Sequence, residues 1–323
     1  MLIFHYSSGW RCRLSVKRED LGLKITDEIH FIKCPFSRPG YFTGVCAILG
    51  ETITLIDSGL LRSPEEAIFP YLKGLGREPE EISTVILTHG HGDHCDGIYT
   101  IKKRVKNLKV AVHRLDEPLL RDPTLYGKDI HARFPDFFPP NPKPDHKPLD
   151  ADILLEDGDR IPAGEHELRV IHAPGHTAGS IVLLEEGLSL CVCGDSLQGR
   201  GDSRPLLYYS SDEYAEFIKR LKEERIEIMA LGHPMPPFRK GVLYDEEVKE
   251  HIVESLKAVQ ELRKKVLETL RSSREPLPFK EIALRLPECR PQSIGCVLES
   301  LEASGEVEKI EKPERSLWRI KGS

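Results

Sequence analysis

The chain has 323 residues, of which 39% are hydrophobic and 30% are charged. This composition is typical of a globular protein with a sizeable core, and the length suits one large domain with a smaller one. The net charge of −6 gives no overall attraction for nucleic acid or an anionic membrane. No segment approaches the roughly 18 apolar residues of a membrane-spanning helix, and the N-terminus lacks the pattern of a signal peptide.

Eight cysteines are scattered along the chain without a paired framework, which predicts a reducing compartment and a cytoplasmic location. Cys191 and Cys193 lie two residues apart in an apolar run, so both side chains share one face of a predicted strand. We interpret them as small buried hydrophobic residues and not as a redox or metal-binding pair.

Strands and helices are predicted in two batches, which indicates two packed sheets flanked by helices. Ser63 and Glu66 have the spacing of a capping box and predict a helix to about Leu72. A second capping box opens a helix at Ser210, and another helix is predicted from about Asp96 to Val105. The predicted strands are Ile29–Lys33, Gly44–Leu49, Thr52–Ile56, Val85–Leu87, Lys109–Val112, Asp152–Leu155, Glu167–Ile171, Ser180–Leu184, Leu188–Cys193 and Ile226–Leu231.

A segment rich in proline and phenylalanine, at 134–144, cannot form a regular helix or strand. It is either a loop that covers a substrate or a packed surface strap, and we favour the loop. His131 and His146 flank this segment and are candidates for substrate contact.

From Asp245 to about Arg271, apolar residues recur every three or four positions, which predicts one long amphipathic helix. Two shorter helices (Phe279–Leu286 and Pro291–Ser304) and a β-hairpin follow, an order typical of a winged helix. The predicted divisions are a catalytic domain over 1–242, a connecting helix over 243–271 and a winged-helix-like domain over 272–323.

The densest functional signal is H-x-H-x-D-H, formed by His89, His91, Asp93 and His94 directly after a predicted strand. Histidine nitrogen and carboxylate oxygen are ligands that suit zinc, iron or manganese. Three further candidates each follow a later predicted strand: His176, Asp195 and His233. Because a sandwich gathers its loops at one edge, we expect all seven side chains to lie together.

H-x-H-x-D-H followed by PGHT, GD and GH, in that order, resembles the metallo-β-lactamase superfamily, especially its glyoxalase II-like members. The resemblance spans roughly residues 25 to 240. It implies an α+β fold, a four-layer αββα sandwich with metals at one edge. It also implies two divalent metal ions, most simply zinc, with iron or manganese as alternatives. The resemblance further implies that one metal is held by His89, His91 and His176 and the other by Asp93, His94 and His233. Asp195 would bridge the two metals.

Two metals about 3.5–4 Å apart activate a shared water by lowering its pKa towards about 7. The resulting hydroxide attacks a carbonyl or phosphoryl centre, and Asp93 steers the water or takes up its proton. No serine or cysteine nucleophile is required, so we expect Cys95 to be structural. His113, His166 and His172 match no ligand position of the family.

Departures from known members limit the prediction of the substrate. The C-terminal region does not resemble the glutathione-binding region of glyoxalase II. Gln198 stands where one group of lactonases has tyrosine, although Tyr208 and Tyr209 follow. The layout is similar to lactamase-β-like proteins with a C-terminal winged helix, some of which cleave single-stranded RNA.

The predicted winged helix has little positive charge with which to bind nucleic acid. Residues 275–323 contain eight Lys or Arg against nine Asp or Glu, and Pro291–Ser304 contains no Lys or Arg. We therefore expect this region to be structural or to form a homodimer.

Four functions remain open from the sequence. The first is hydrolysis of a small ester, thioester or lactone, with Asp93 and Asp195 as catalytic residues. The second is cleavage of single-stranded RNA, which would need a cationic groove formed by residues such as Arg121, Lys128, Arg133, Arg200 or Arg204. A metal-binding regulator and a one-iron redox enzyme are less well supported. The absence of Lys and Arg from Pro291–Ser304 argues against a DNA-binding regulator, and the seven candidate ligands argue against a single iron.

Overall fold

The computed structural model describes residues 21–125, 132–135, 137–138, 148–313 and 315–322. The first half of the chain forms a seven-stranded sheet in the order β1 to β7. The first four strands are antiparallel, whereas β4, β5, β6 and β7 run parallel to one another. The strands are β1 (Gly22–Lys24), β2 (Ile29–Pro35), β3 (Phe42–Leu49), β4 (Ile53–Ile56), β5 (Ile82–Ile86), β6 (Lys109–His113) and β7 (Ile153–Leu155).

The second half forms a six-stranded sheet in the order β13-β12-β11-β10-β9-β8. All neighbours are antiparallel except β11 and β12, which are parallel. The strands are β8 (Arg160–Ala163), β9 (His166–His172), β10 (Ile181–Glu185), β11 (Leu190–Val192), β12 (Ile228–Met235) and β13 (Lys240–Tyr244). β1, β8 and β13 are absent from the prediction because each is short or carries polar residues that interrupt the apolar pattern.

The two sheets pack face to face around a core that both supply. Phe31 and Ile48 from the first sheet and Val170 and Leu183 from the second are fully buried in this core. Separate apolar clusters lie on the outer face of each sheet, beneath the helices. The molecule is therefore a four-layer αββα sandwich, and the predicted fold class is confirmed.

Helices cover both outer faces. On the first sheet a π-helical turn, Pro64–Ile68, continues into the helix Phe69–Gly74, and three short helices follow in the part of the chain that the structure describes. α5 and the 26-residue α6 cover the second sheet. The helices are α1 (Phe69–Gly74), α2 (Gly92–Cys95), α3 (Gly97–Ile101), α4 (Glu117–Arg121), α5 (Ser211–Leu221), α6 (Glu246–Arg271), α7 (Phe279–Arg285) and α8 (Pro291–Ala303). Among the described residues, none of these helices has the length and apolar character of a membrane span.

The two predicted helix starts have different outcomes. Ser210 is extended and its hydroxyl accepts the backbone N–H of Glu213, so the predicted N-cap of α5 is confirmed. Ser63 is itself helical, with φ −54°, and makes no capping bond. The capping box predicted at Ser63 is wrong, because the backbone of this serine is already helical where a capping residue would be extended.

The C-terminal region has the predicted element order of two helices and a hairpin. α7 and α8 are followed by β15 (Val307–Glu311) and β16 (Ser316–Ile320), and β14 (Leu277–Pro278) completes a three-stranded sheet. α8 packs on α5 and α6, so this region is continuous with the helical layer of the second sheet. Its assignment to the winged-helix class and the domain boundaries remain predictions.

The proline- and phenylalanine-rich segment packs against the C-terminal region. Phe134 and Phe138 are buried, and the Phe134 ring lies 4.2 Å from that of Phe279 and 6.2 Å from that of Trp318. In its described residues the segment is therefore a packed strap, and the substrate-covering loop that we predicted is wrong there. An aromatic cluster explains why three phenylalanines occur in so irregular a stretch.

Candidate metal centre

The H-x-H-x-D-H turn follows β5 at the edge of the first sheet where its parallel strands end. His89 and His91 lie in the connection from β5, and His91 is the residue that precedes α2. Asp93 and His94 are inside α2, so the change from extended chain to helix turns their side chains away from those of His89 and His91. Local structure thus divides the four residues into two pairs.

Three residues from the second sheet complete the cluster. His176 lies in the turn between β9 and β10, and Asp195 follows β11. His233 lies within β12, where the pairing with β13 is irregular between Ala230 and Met235. We predicted His233 beyond the end of a strand; it lies instead at this bulge, which redirects the side chain towards the site.

All seven side chains come together at one edge of the sandwich. Their ligand atoms form sets whose members lie within 4.8 Å of one another. We name His89, His91 and His176 the three-histidine group, and Asp93, His94 and His233 the Asp93 group. A third set, formed by His89, His94 and Asp195, overlaps both.

Asp195 lies between the two groups and faces both of them. Its Oδ2 atom is 3.5 Å from Nε2 of His176, a member of the three-histidine group. Its Oδ1 atom is 3.6 Å from Nε2 of His94 and 3.5 Å from Nε2 of His233, both in the Asp93 group. The two oxygens of one carboxylate are therefore divided between the groups.

The close approach of Asp195 to β12 requires a glycine at position 232. A Cβ atom on Gly232 would lie 2.6 Å from Oδ1 of Asp195 and 2.8 Å from the backbone of Gly194. The glycine before His233 therefore allows the carboxylate and the strand to occupy the same small volume.

Hydrogen bonds from Nδ1 orient the histidine rings. His176 Nδ1 is 2.7 Å from the carbonyl oxygen of Leu206, and His233 Nδ1 is 2.7 Å from that of Phe42. A carbonyl oxygen can only accept, so in both rings Nδ1 carries the proton. In the neutral form of each ring Nε2 then carries a lone pair directed into the cluster, as a metal ligand requires.

Several of the inward-facing atoms have no hydrogen-bond partner among the described residues. They are buried polar atoms, which normally are paired because desolvation is costly. The set comprises Nε2 of His89, His94 and His176 and Oδ1 of Asp195. Unpaired nitrogen and oxygen lone pairs that converge on shared points fit divalent metal ions, and these residues could hold them.

The pKa values of the three-histidine group are governed by burial. Burial lowers the pKa of His89 and His91 well below the usual range, and the neighbouring histidines add to the shift. The pKa of His176 is also lowered by burial, against the opposing charge of Asp195. This group is therefore neutral at pH 7, the form in which imidazole binds a metal.

In the rest of the cluster, neighbouring charges together outweigh burial and set the direction of the pKa shifts. Burial alone would lower the pKa of His94, but the Asp57 and Asp93 carboxylates raise it well above the usual range. Burial alone would raise the pKa of Asp195, but His233 and His94 hold it well below. The ionised carboxylate of Asp195 thus lies beside histidine rings whose protonated form its charge favours. A bound cation would take the place of those protons.

A buried aspartate that we did not predict supports the Asp93 group. Asp57 follows β4 and its Oδ2 atom is 2.7 Å from Nδ1 of His94. The same carboxylate accepts the backbone N–H and the hydroxyl of Thr88, each at 2.8 Å. Asp57 therefore fixes the ring of His94 and ties it to the end of β5.

A second buried aspartate supports the three-histidine group through the backbone. Asp116, beyond β6, accepts the N–H of Gly90 at 2.8 Å and that of Gly179 at 2.6 Å. It also accepts the hydroxyl of Thr177 at 2.7 Å. Burial raises the pKa of Asp116, and these three hydrogen bonds oppose the rise. One carboxylate thus joins the turn of His89 and His91 to the turn of His176.

Aromatic side chains form the outer wall of the site. The Tyr41 ring stacks on His233 at 4.9 Å, and Phe36 meets the same ring edge-on at 5.7 Å. Tyr208 meets His91 at 5.1 Å and His176 at 5.6 Å. Tyr208 was noted in the sequence, whereas nothing in the pattern distinguished Tyr41 or Phe36.

The described histidines that match no ligand position of the family have partners of their own. His113 stacks on His172 at 4.2 Å, and His166 is placed between Glu185 and Glu28. Burial raises the pKa of the Cys95 thiol well above its usual range, so this residue is not a thiolate nucleophile. Cys191 and Cys193 are buried in the core, as predicted. His131 and His146 lie outside the described residues.

Most of the arginines predicted to form a cationic groove are neutralised by carboxylates. Arg121 lies beside Glu117, Arg133 pairs with Glu299, and Arg200 pairs with Glu254 and Glu261. Arg204 is the exception within the described residues, because its recorded partners are neutral groups. Lys128 lies outside these residues.

Comparison with known proteins identifies the family. Residues 44–233 match the model of the metallo-beta-lactamase superfamily. The acyl-coenzyme A thioesterase MBLAC2 of Homo sapiens is 28% identical over 218 residues, covering 61% of this chain and 73% of the relative. A hydroxyacylglutathione hydrolase of Cereibacter sphaeroides is 30% identical over 139 residues, covering 42% of each chain. The chain thus spans less than half the length of the latter relative.

Solved structures show the same fold. A metallo-beta-lactamase family protein of Thermus thermophilus superposes with a TM-score of 0.71 at 19% identity, covering 92% of this chain and all of the other. A beta-lactamase domain protein of Burkholderia ambifaria gives 0.65 at 13% identity, with 93% and 94% covered. The chain belongs to the metallo-beta-lactamase superfamily and, as the sequence predicted, is a metal-dependent hydrolase.

Proposed function

We propose that this chain hydrolyses thioesters and that the seven-residue cluster holds two divalent metal ions, zinc in the simplest case. The observation that carries the proposal is the position of Asp195, whose two oxygens face different histidine groups. A carboxylate placed in this way suits a ligand shared by two cations. Iron and manganese accept the same nitrogen and oxygen donors, so metal analysis of the purified protein decides between them.

Two divalent metal ions held by the cluster would lower the pKa of a water molecule towards about 7 and would stabilise negative charge on the substrate carbonyl oxygen. The hydroxyl group of water is added to the acyl carbon, the carbon–sulfur bond breaks, and the remaining proton passes to the sulfur. The products are a carboxylic acid and a free thiol.

The protein must also position the water and carry its proton. Asp93 is suited to this role because its side chain is 27% exposed, whereas that of Asp195 is only 7% exposed. Its Oδ2 atom lies 3.1 Å from Nε2 of His233, which fixes the carboxylate. We propose that the carboxylate of Asp93 accepts a hydrogen bond from the attacking water and relays the proton to the leaving sulfur.

The choice of a thioester rests on what similar proteins act on. The names of MBLAC2 and of the hydroxyacylglutathione hydrolases both describe enzymes that cleave a thioester. An oxygen ester or a lactone presents the same carbonyl to the site, so both belong in any test. Single-stranded RNA is less well supported, because the arginines expected to bind it are paired with carboxylates in most cases.

The test is hydrolysis by metal-loaded protein on an acyl-coenzyme A, an acylglutathione, a lactone, an aryl ester and a short single-stranded RNA. We expect metal-dependent release of thiol from at least one thioester and its loss in Asp195→Ala. Asp150→Asn, a change to an exposed aspartate away from the cluster, serves as the matched control. Cleavage of RNA or lactone without cleavage of any thioester would overturn the proposal.

A further inference from the structure

A cationic pocket adjoins the wall of the metal centre. It has a volume of about 820 Å³ and is bordered on one side by Phe36 and Tyr41, whose rings contact His233. Among the described residues, its charged lining comprises one aspartate, Asp202, and four arginines, Arg38, Arg204, Arg239 and Arg290. A surplus of positive charge here is notable on a chain with a net charge of −6.

Only one of the four arginines is neutralised by a carboxylate in the described part of the chain. Arg239 makes two hydrogen bonds to Asp202, at 2.6 and 2.9 Å. The pKa of Asp202 is held below its usual range by Arg239 first and also by Arg204 and Arg38. One carboxylate therefore faces three guanidinium groups, and the pocket keeps a net positive charge.

Arg204 has the most specific placement. It donates to Oε1 of Gln198 at 3.1 Å and to the hydroxyl of Tyr41 at 3.1 Å. Gln198 in turn donates to the backbone of Asp195 at 3.0 Å. Neutral partners thus hold the guanidinium in place without cancelling its charge, and they connect it to both sides of the metal centre.

The loop that presents Arg204 is held in a costly conformation. Asp202 and Ser203 have φ values of +50° and +61°, in the left-handed region that residues with a side chain seldom adopt. Such a conformation persists only where surrounding contacts favour it, and the Arg239–Asp202 pair is one such contact. The fold therefore maintains this loop at some cost.

Arg38 and Arg290 complete the pocket from other parts of the fold. Arg38 comes from the β2–β3 connection, and Arg290 immediately precedes α8 in the C-terminal region. Both are exposed, and no ion pair is recorded for either within the described residues. Guanidinium groups that converge from three segments suit a ligand with several negative charges, because planar N–H groups bind phosphate oxygens in pairs.

We propose that Arg38, Arg204 and Arg290 form a subsite for the phosphate groups of the substrate's leaving thiol, so that the preferred substrate is an acyl thioester of a phosphorylated thiol such as coenzyme A. This inference rests on the proposed thioesterase function and narrows it. It also gives the C-terminal region a role, since that region supplies one wall of the pocket through Arg290.

The experiment separates phosphate recognition from catalysis by measuring binding of unreactive thioethers. An S-alkyl coenzyme A and the S-alkyl pantetheine derived from it differ only in the nucleotide and its phosphates. We expect the coenzyme A thioether to bind at least about tenfold more tightly by calorimetry, because each charge-assisted contact contributes substantially. Added salt should reduce this ratio by screening the phosphates.

The variants test which residues are responsible. Arg38→Gln combined with Arg290→Gln should bring the ratio of the two dissociation constants close to one. Arg274→Gln combined with Arg315→Gln changes the charge equally, at exposed arginines that do not line this pocket, and should preserve the ratio. The subsite would be overturned if the ratio of dissociation constants is close to one in the unaltered protein. It would also be overturned if the ratio is unchanged in Arg38→Gln/Arg290→Gln.

Two further arms identify other ligands and keep the proposals distinct. S-alkyl glutathione carries carboxylates and no phosphate. If it or a short single-stranded RNA binds more tightly than S-alkyl coenzyme A, the proposed site for a phosphorylated thiol is overturned. Hydrolysis of acyl-coenzyme A and acyl-pantetheine is then measured with metal-loaded protein. Selective binding of the coenzyme A thioether without hydrolysis of any thioester would contradict the thioesterase activity and support the phosphate subsite. Equal hydrolysis of both thioesters would support the thioesterase activity and contradict the subsite.

Discussion

The two halves of the metal centre are held in place in different ways. In the three-histidine group, Asp116 touches none of the rings and instead binds the backbone of the two turns that carry them. In the Asp93 group, Asp57 bonds directly to the ring of His94. One aspartate thus sets the distance between loops, and the other sets the orientation and charge of a single ligand.

The electrostatic character of the two halves differs accordingly. Burial lowers the pKa of His89 and His91, whereas Asp57 and Asp93 overcome burial and raise that of His94. A cation entering the first half meets neutral ligands, while in the second half it must displace a proton. We therefore expect the two halves to bind metal with different affinity and different dependence on pH.

The largest expected effect comes from removing one ligand of each half. We expect the unaltered protein to hold two metal ions, and His91→Ala and His233→Ala each to retain one. In both variants kcat/KM on a thioester should fall by more than about 100-fold. Replacing a residue that only supports a metal ligand typically costs up to about that factor, and loss of the ligand itself should cost more. Elemental analysis gives the metal content, and thiol release gives the activity.

His113→Asn is the matched control for these variants, because His113 is a buried histidine that stacks on His172 outside the cluster. It should keep the full metal content. Loss of both metal ions in either His91→Ala or His233→Ala would show that the two halves do not bind metal independently, which would contradict the expected difference between them.

Replacing Asp57 should weaken only the Asp93 group. Asp57 has φ +63°, which asparagine tolerates, so Asp57→Asn preserves the backbone. The asparagine amide has one accepting oxygen where aspartate has two, so it cannot accept all the bonds now made by His94 and Thr88. We therefore expect a loss of about 10- to 100-fold in the affinity of one metal ion. Competition with a chelator resolves the two affinities, and equal weakening of both would contradict the assignment.

Asp57 is a residue of the site that the sequence alone did not predict. Strand ends directed attention to the seven candidate residues, and the resemblance of their pattern to a known family predicted the four-layer fold. Asp57 follows the predicted strand Thr52–Ile56, so the same rule could have found it. It was missed because an isolated aspartate in a turn is common and no second ligand stands beside it.

Other features depend on contacts that no local pattern encodes. Asp116 meets Thr177 across 61 positions of sequence, and Tyr41 reaches His233 from a different sheet. The three phenylalanines of the strap were visible, but their partners, Phe279 and Trp318, lie in the last fifty residues. In each case composition identified the residue type, whereas only the fold supplied the neighbour.

Replacing Asp116 should affect stability more than metal binding. In Asp116→Asn an N–H group of the side chain would face backbone N–H donors, leaving at least one of them buried and unpaired. We expect the free energy of unfolding to fall by about 1–3 kcal/mol, while the affinity for metal falls less than in Asp57→Asn. Urea denaturation of chelated protein measures the first quantity, with exposed Asp150→Asn as the control. A loss of metal affinity larger than that in Asp57→Asn would reverse the comparison.

The smallest effect is expected at Thr177, which supplies one of the three hydrogen bonds to Asp116. Thr177→Val keeps the shape of the side chain but removes the hydroxyl, which also lies 2.7 Å from that of Ser180. The free energy of unfolding should fall by about 1 kcal/mol. Because both substitutions act on the same bond, the double variant Asp116→Asn/Thr177→Val should be less destabilised than the sum of the two. Strict additivity would mean that the Thr177 hydroxyl and the Asp116 carboxylate stabilise the turns independently, and that the hydrogen bond between them contributes nothing to stability.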